Sequence, residues 1–130
     1  LMFTRSAFGN FTIWHPDADL WLMDLESLRA REATGLNSPD AESYHSWSSS
    51  SRWVVFSSRR DDGRYTRLYL SHMDQSGTFS KPFILPQRNP RSDPRLMQSY
   101  NIPEFIKAKI SFRPRDIHRA DHVKATGWKH

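Results

Sequence analysis

A pattern that occurs twice limits what this chain can fold into. The fuller copy runs Trp47-Ser48-Ser49-Ser50-Ser51-Arg52-Trp53-Val54-Val55-Phe56-Ser57-Ser58-Arg59, crosses a polar spacer and resumes at Arg67-Leu68-Tyr69-Leu70-Ser71. The shorter copy begins Leu1-Met2-Phe3-Thr4-Arg5-Ser6 and resumes at Asp19-Leu20-Trp21-Leu22-Met23-Asp24. Short strands recurring every 40 to 50 residues or so mark the blades of a β-propeller, where each sheet buries its faces against its neighbours. Leu1-Met2-Phe3 aligns with Val54-Val55-Phe56, so the shorter copy opens in mid-strand. A propeller closes with about 4 to 8 blades and this length supplies roughly two, so the expectation is the carboxyl-terminal part of a longer ring.

Strand positions follow from apolar alternation and β-branched or aromatic content, over Leu1 to Thr4, Leu20 to Leu25, Trp53 to Ser57 and Leu68 to Met73. In the second of these, Leu20 and Leu22 share one face while Trp21, Met23 and Leu25 share the other, a pattern for a strand covered on both sides. Arg60-Asp61-Asp62-Gly63-Arg64 reads as a hairpin turn, with glycine supplying the positive φ. Gln75-Ser76-Gly77-Thr78 is a second turn, and the prolines of Lys81-Pro82-Phe83-Ile84-Leu85-Pro86 suit an edge strand, because proline has no N–H to give a neighbour.

The expected fold is therefore all-β: about two four-stranded antiparallel blades with an irregular carboxyl-terminal tail. Its parts are an incomplete blade over 1–34, an inter-blade connection over 35–43, a complete blade over 44–86, a proline-rich closing segment over 87–106 and a basic tail over 107–130. Glu42 to Trp47 is expected as the innermost strand of the complete blade. A turn of helix is expected over Arg95 to Gln98 and another near Arg115 to Lys124. Trp21, Trp53, Phe56 and Tyr69 are the expected core rings.

Charge is divided unevenly. Residues 1–106 balance, so the whole net charge of +5 falls in 107–130. Such a tail can bind nucleic acid or anionic lipid nonspecifically, although a solvated chain end is the commoner case. The absence of cysteine removes disulfides, thiolate metal sites and a cysteine nucleophile. No apolar run is long enough to suggest a membrane span.

The run Trp47 to Arg59 followed by Leu68-Tyr69-Leu70 resembles the repeat of TolB-like β-propellers, with Ser49 where that repeat has proline and Ser50-Ser51 where it has Asp-Gly. Glu42-Ser43-Tyr44-His45-Ser46-Trp47 and Ser99-Tyr100-Asn101-Ile102-Pro103-Glu104-Phe105 are also similar to the last blades of bacterial TolB-like proteins. The resemblance covers residues 1–106. It implies a noncatalytic propeller of the bacterial cell envelope, often periplasmic, that binds a protein partner.

The residues themselves supply little chemistry. The serines of Ser46 to Ser51 lack the flanking glycines of a nucleophile elbow and read as a turn. His118 and His122 are spaced to share a helix face, but without the glutamate of a His-Glu-x-x-His hydrolase, and no metal is assigned. His15-Pro16-Asp17-Ala18-Asp19 groups an imidazole with two carboxylates and is expected to accept backbone hydrogen bonds in a turn. Nothing in the residues requires a cofactor. The expected partner-binding residues are Trp14, Tyr44, His45, Arg59, Arg60 and Tyr65, in or near loops. The alternative is a carbohydrate-binding or carbohydrate-processing propeller, with the same rings stacking sugars and Asp61-Asp62 as its acids.

Overall fold

The chain forms two antiparallel sheets in the computed structural model, which describes residues 1–86 and 97–121. The first contains β1 (Met2–Arg5), β2 (Asp19–Met23) and β3 (Ala30–Glu32). The second contains β4 (Glu42–Trp47), β5 (Trp53–Ser58), β6 (Arg67–His72) and β7 (Phe83–Ile84). Spatial order matches chain order in both, so each sheet is a meander, and neither closes into a barrel. The one α-helix among the described residues is α1 (Pro114–Asp121), and no helix among them is long and apolar enough to cross a membrane. The architecture is all-β.

Register explains the core. Pairing of Met2 with Leu22 and Thr4 with Leu20 turns Met2, Leu20 and Leu22 to one face of the first sheet. Pairing of Val54 with Ser71 and Phe56 with Tyr69 does the same for the second. The two faces meet in one cluster of Met2, Leu20, Ala33, Leu36, Val54, Phe56 and Tyr69, flanked by Leu22, Trp47 and Phe79. Each fully buried large side chain here contributes about 1.5–3 kcal/mol. The sheets are thus held to each other face to face.

Several expectations are corrected. The first sheet has three strands, and β3 was missed because Ala30-Arg31-Glu32 is a short, exposed, polar edge recognisable only by its pairing with β2. Leu25 lies beyond the end of β2 and is exposed. Trp53 is 39% exposed, because register puts it on the face of β5 opposite Phe56, beside the rings of His72 and Phe83. Trp21 is half-buried on the outer face of the first sheet, under the Arg5 guanidinium at 4.6 Å. Phe56 and Tyr69 are core rings as expected.

The turns fall where glycine, serine and aspartate placed them. Ser48 Oγ accepts from Trp53 N at 3.1 Å across the serine turn. Asp74 Oδ1 accepts from Ser76 N and Thr78 N around Gly77, whose φ is +79°. Residues 98–100 dock at the start of β6, where Tyr100 N donates to Thr66 O at 3.0 Å and Arg67 Nη1 to Gln98 O at 2.5 Å. Phe105, Ile106 and Lys107 reach the opposite end, lining a shallow cleft with Trp47, Ser48 and Ser49. Of the two expected helical turns, Arg95 and Leu96 lie outside the described residues and Met97-Gln98 is not helical, whereas α1 begins one residue before Arg115 and the stretch from His122 to Lys124 lies outside the described residues.

Candidate functional site

Because successive strands alternate in direction, the β1–β2, β3–β4 and β5–β6 connections emerge together at one end of the sheets. Backbone bonds join them: Glu42 N to Ala18 O at 2.7 Å and Arg59 N to Ala41 O at 3.1 Å. All six expected partner-binding residues lie on these connections or on the strands that lead from them.

The β1–β2 connection is held by bonds of its own. Asp17 Oδ2 accepts from Ala7 N at 2.7 Å, which ties the two stems of the loop together. His15 Nε2 lies 3.1 Å from Asn10 O, and its ring meets Phe8 edge-on at 4.8 Å. A 3-10 turn over Thr12–Trp14 follows Phe11, which adopts a left-handed φ of 56°. That conformation costs a side chain about 1–2 kcal/mol. Ile13 inserts beneath into a small cluster with Ala18, Ala41 and Tyr44. The result is a pinned loop that leaves Phe8, Phe11 and Trp14 each at least 63% exposed.

Arg59 reaches this loop from the β5–β6 hairpin. Its guanidinium stacks 4.8 Å from the Trp14 ring and donates from Nη2 to Gly63 O, while Nε is buried with no hydrogen-bond partner among the described residues. Asp62 Oδ1 accepts from Arg64 N and Tyr65 N at 2.8 Å each, and these bonds hold its carboxyl below the usual range. Tyr65 is half-buried, with Arg67 5.4 Å from its ring.

Tyr44 and His45, expected near the loops, lie within β4, the strand expected over Glu42 to Trp47. Register passes from Ser43 opposite Ser57 to Ser46 opposite Val55, which sets two residues of β4 against Phe56 alone. At this bulge Tyr44 takes a left-handed φ of 47° and packs on Ile13, Ala18 and Ala41. His45 reaches the Met2 backbone instead; burial lowers its pKa, and that hydrogen bond offsets part of the shift.

Arg60 is an internal residue, with its side chain 17% exposed. Its Nη2 donates to Glu42 Oε1 at 3.0 Å and to Leu36 O at 2.5 Å, Nε donates to Ser58 Oγ at 2.9 Å, and the guanidinium lies 4.6 Å from the Tyr69 ring. Tyr69 Oη donates to Asp61 Oδ1 at 2.5 Å, and burial followed by this bond pushes the phenol pKa up. Asp19 is also raised, first by burial and then by Glu32, Glu42 and Asp17. Of the His118–His122 pair, His122 lies outside the described residues, and no group of three potential metal ligands occurs among the described residues.

The structure therefore brings Trp14 and Arg59 together and holds Tyr44 beneath them. Arg60 is directed inward, His45 toward β1, and Tyr65 lies beside Arg67. Sequence reasoning missed Phe8 and Phe11. The signal was the recurrence of aromatics at residues 8, 11 and 14 in a loop, a spacing the turn converts into a shared exposure. No family model, curated protein or solved structure matches this chain.

Proposed function

We propose that the two sheets are successive blades of a TolB-like β-propeller of the bacterial cell envelope, and that this part of it is a noncatalytic scaffold docking a protein partner on the end that carries Trp14. The blade reading is supported by the four-stranded meander β4–β7, by the shared core between sheets, and by alignment of the repeated segments on β1 and β5. The observation that carries the functional reading is the Arg59 guanidinium stacked on exposed Trp14, with Phe8 and Phe11 displayed on the same pinned loop. Tryptophan and arginine dominate interface hot spots, and a loop ordered beforehand loses little entropy on docking.

A carbohydrate partner is the competing reading, since one exposed indole can also stack a sugar face. The acids it would recruit for hydrolysis are otherwise engaged: Asp61 accepts from Tyr69 and Asp62 from its own turn. Placing a photo-crosslinking residue at Phe11 and irradiating intact cells tests the two. One protein adduct, lost on Trp14→Ala and on Arg59→Ala, is the expected result. Binding to a glycan array with the same sensitivity to Trp14→Ala, and no protein adduct, would refute the scaffold.

A further inference from the structure

Beyond the sheets, residues 106–119 expose apolar and cationic side chains in alternation. Ile106, Ile110, Phe112 and Ile117 are each between 52% and 61% exposed. Between and after them stand Lys107, Lys109, Arg113, Arg115 and Arg119, none in an ion pair with a carboxylate among the described residues. Asp116 is the one acid of this stretch, and its carboxylate accepts from Arg113 N at 2.7 Å at the start of α1. The stretch leaves the body beside Ser48 and Ser49, at the end of the sheets opposite Trp14.

We infer that residues 106–119 form a peripheral docking surface for anionic lipid, through aliphatic and aromatic side chains interleaved with cations. Charge complementarity selects the occupant. Cations attract an anionic headgroup layer, each by a similar increment, and apolar side chains between them gain by entering the acyl boundary. Nucleic acid answers the cations equally well but gives branched aliphatic side chains such as Ile110 and Ile117 nothing to stack on. Residues 106–119 carry these groups whether or not the sheets are propeller blades. Their position at the far end leaves the Trp14 surface clear of the lipid.

The test is co-sedimentation of the whole chain with vesicles of phosphatidylcholine alone and of equal parts phosphatidylcholine and phosphatidylglycerol. Partition onto the anionic vesicles should be higher by on the order of a hundredfold or more, and should fall as salt is raised. Changing Lys107, Lys109 and Arg113 together to Ser should remove about a hundredfold of it. Ile110→Ser with Phe112→Ser should remove roughly tenfold or more while the charge is unchanged. None of these residues is buried, so the urea midpoint should not move. Equal binding to both vesicle types would overturn the inference. So would full binding by the Ile110/Phe112 variant, or single-stranded DNA competing the chain off the vesicles with its affinity insensitive to that variant.

Discussion

The Arg60 guanidinium stands 3.0 Å from the carboxylate of Glu42, which is fully buried, and 4.6 Å from the ring of Tyr69. Glu42 also accepts from Ser38 N at 2.9 Å, Ser38 Oγ at 2.7 Å and Ser58 Oγ at 2.8 Å. The pair and these bonds together join the β3–β4 connection, through Leu36 and Ser38, to β4, β5 and the β5–β6 hairpin.

Removing one member leaves the other charge buried without its partner. Glu42→Ala should lower stability by about 3 kcal/mol or more, and Arg60→Ala by a similar but smaller amount because that side chain keeps some access to water. Urea unfolding measures both. Replacing both with apolar residues should cost much less than the sum of the single changes.

Trp14 and Ile13 are adjacent in sequence and opposite in consequence. Trp14→Ala should leave the urea midpoint within about 0.5 kcal/mol of the parent, since the ring is exposed, while weakening partner binding by about 2 kcal/mol, or roughly thirtyfold. Ile13→Ala removes the buried anchor and should cost about 2–4 kcal/mol of stability. A calorimetric titration of the captured partner and one unfolding curve for each variant separate the two roles.

Gly63 holds φ at +65°, and a Cβ there would lie 3.0 Å from Asp40 Oδ2. Gly63→Ala should destabilise by about 1–2 kcal/mol through the left-handed backbone alone. Because Gly63 O accepts from Arg59, the same change should disturb the Arg59–Trp14 stack, visible as altered indole fluorescence.

His45 provides a pH dependence with a definite sign. Burial lowers its folded-state pKa below the ordinary value of 6.5, so the unfolded chain takes up its proton first as pH falls. Stability should be complete above about pH 6.5 and decline as pH drops from there toward the lower folded-state value. His45→Gln keeps a neutral polar side chain at the site and should flatten that part of the curve. An unchanged slope in urea midpoints between neutral and mildly acidic pH would exclude His45 as its source.

Alternation of apolar residues, together with the placement of glycine, serine and aspartate, determined by itself where β1, β2, β5 and β6 run and how β5 turns into β6. These are local preferences, since a two-residue period and a left-handed turn position are written in neighbouring residues. Phe56 and Tyr69 as core rings were legible for the same reason, although the same pattern put Trp21 and Trp53 beside them. Other features needed the assembled sheets. β3 exists because β2 offers it an edge, and Trp53 faces outward because register sets its side of the strand. The bulge in β4 decides that Tyr44 supports the Trp14 loop while His45 turns to Met2. Whether an arginine faces solvent or a buried carboxylate depends on groups distant in the chain. Arg59 and Arg60 are neighbours in sequence, yet one meets exposed Trp14 and the other buried Glu42, a division made only when three connections converge at one end of the fold.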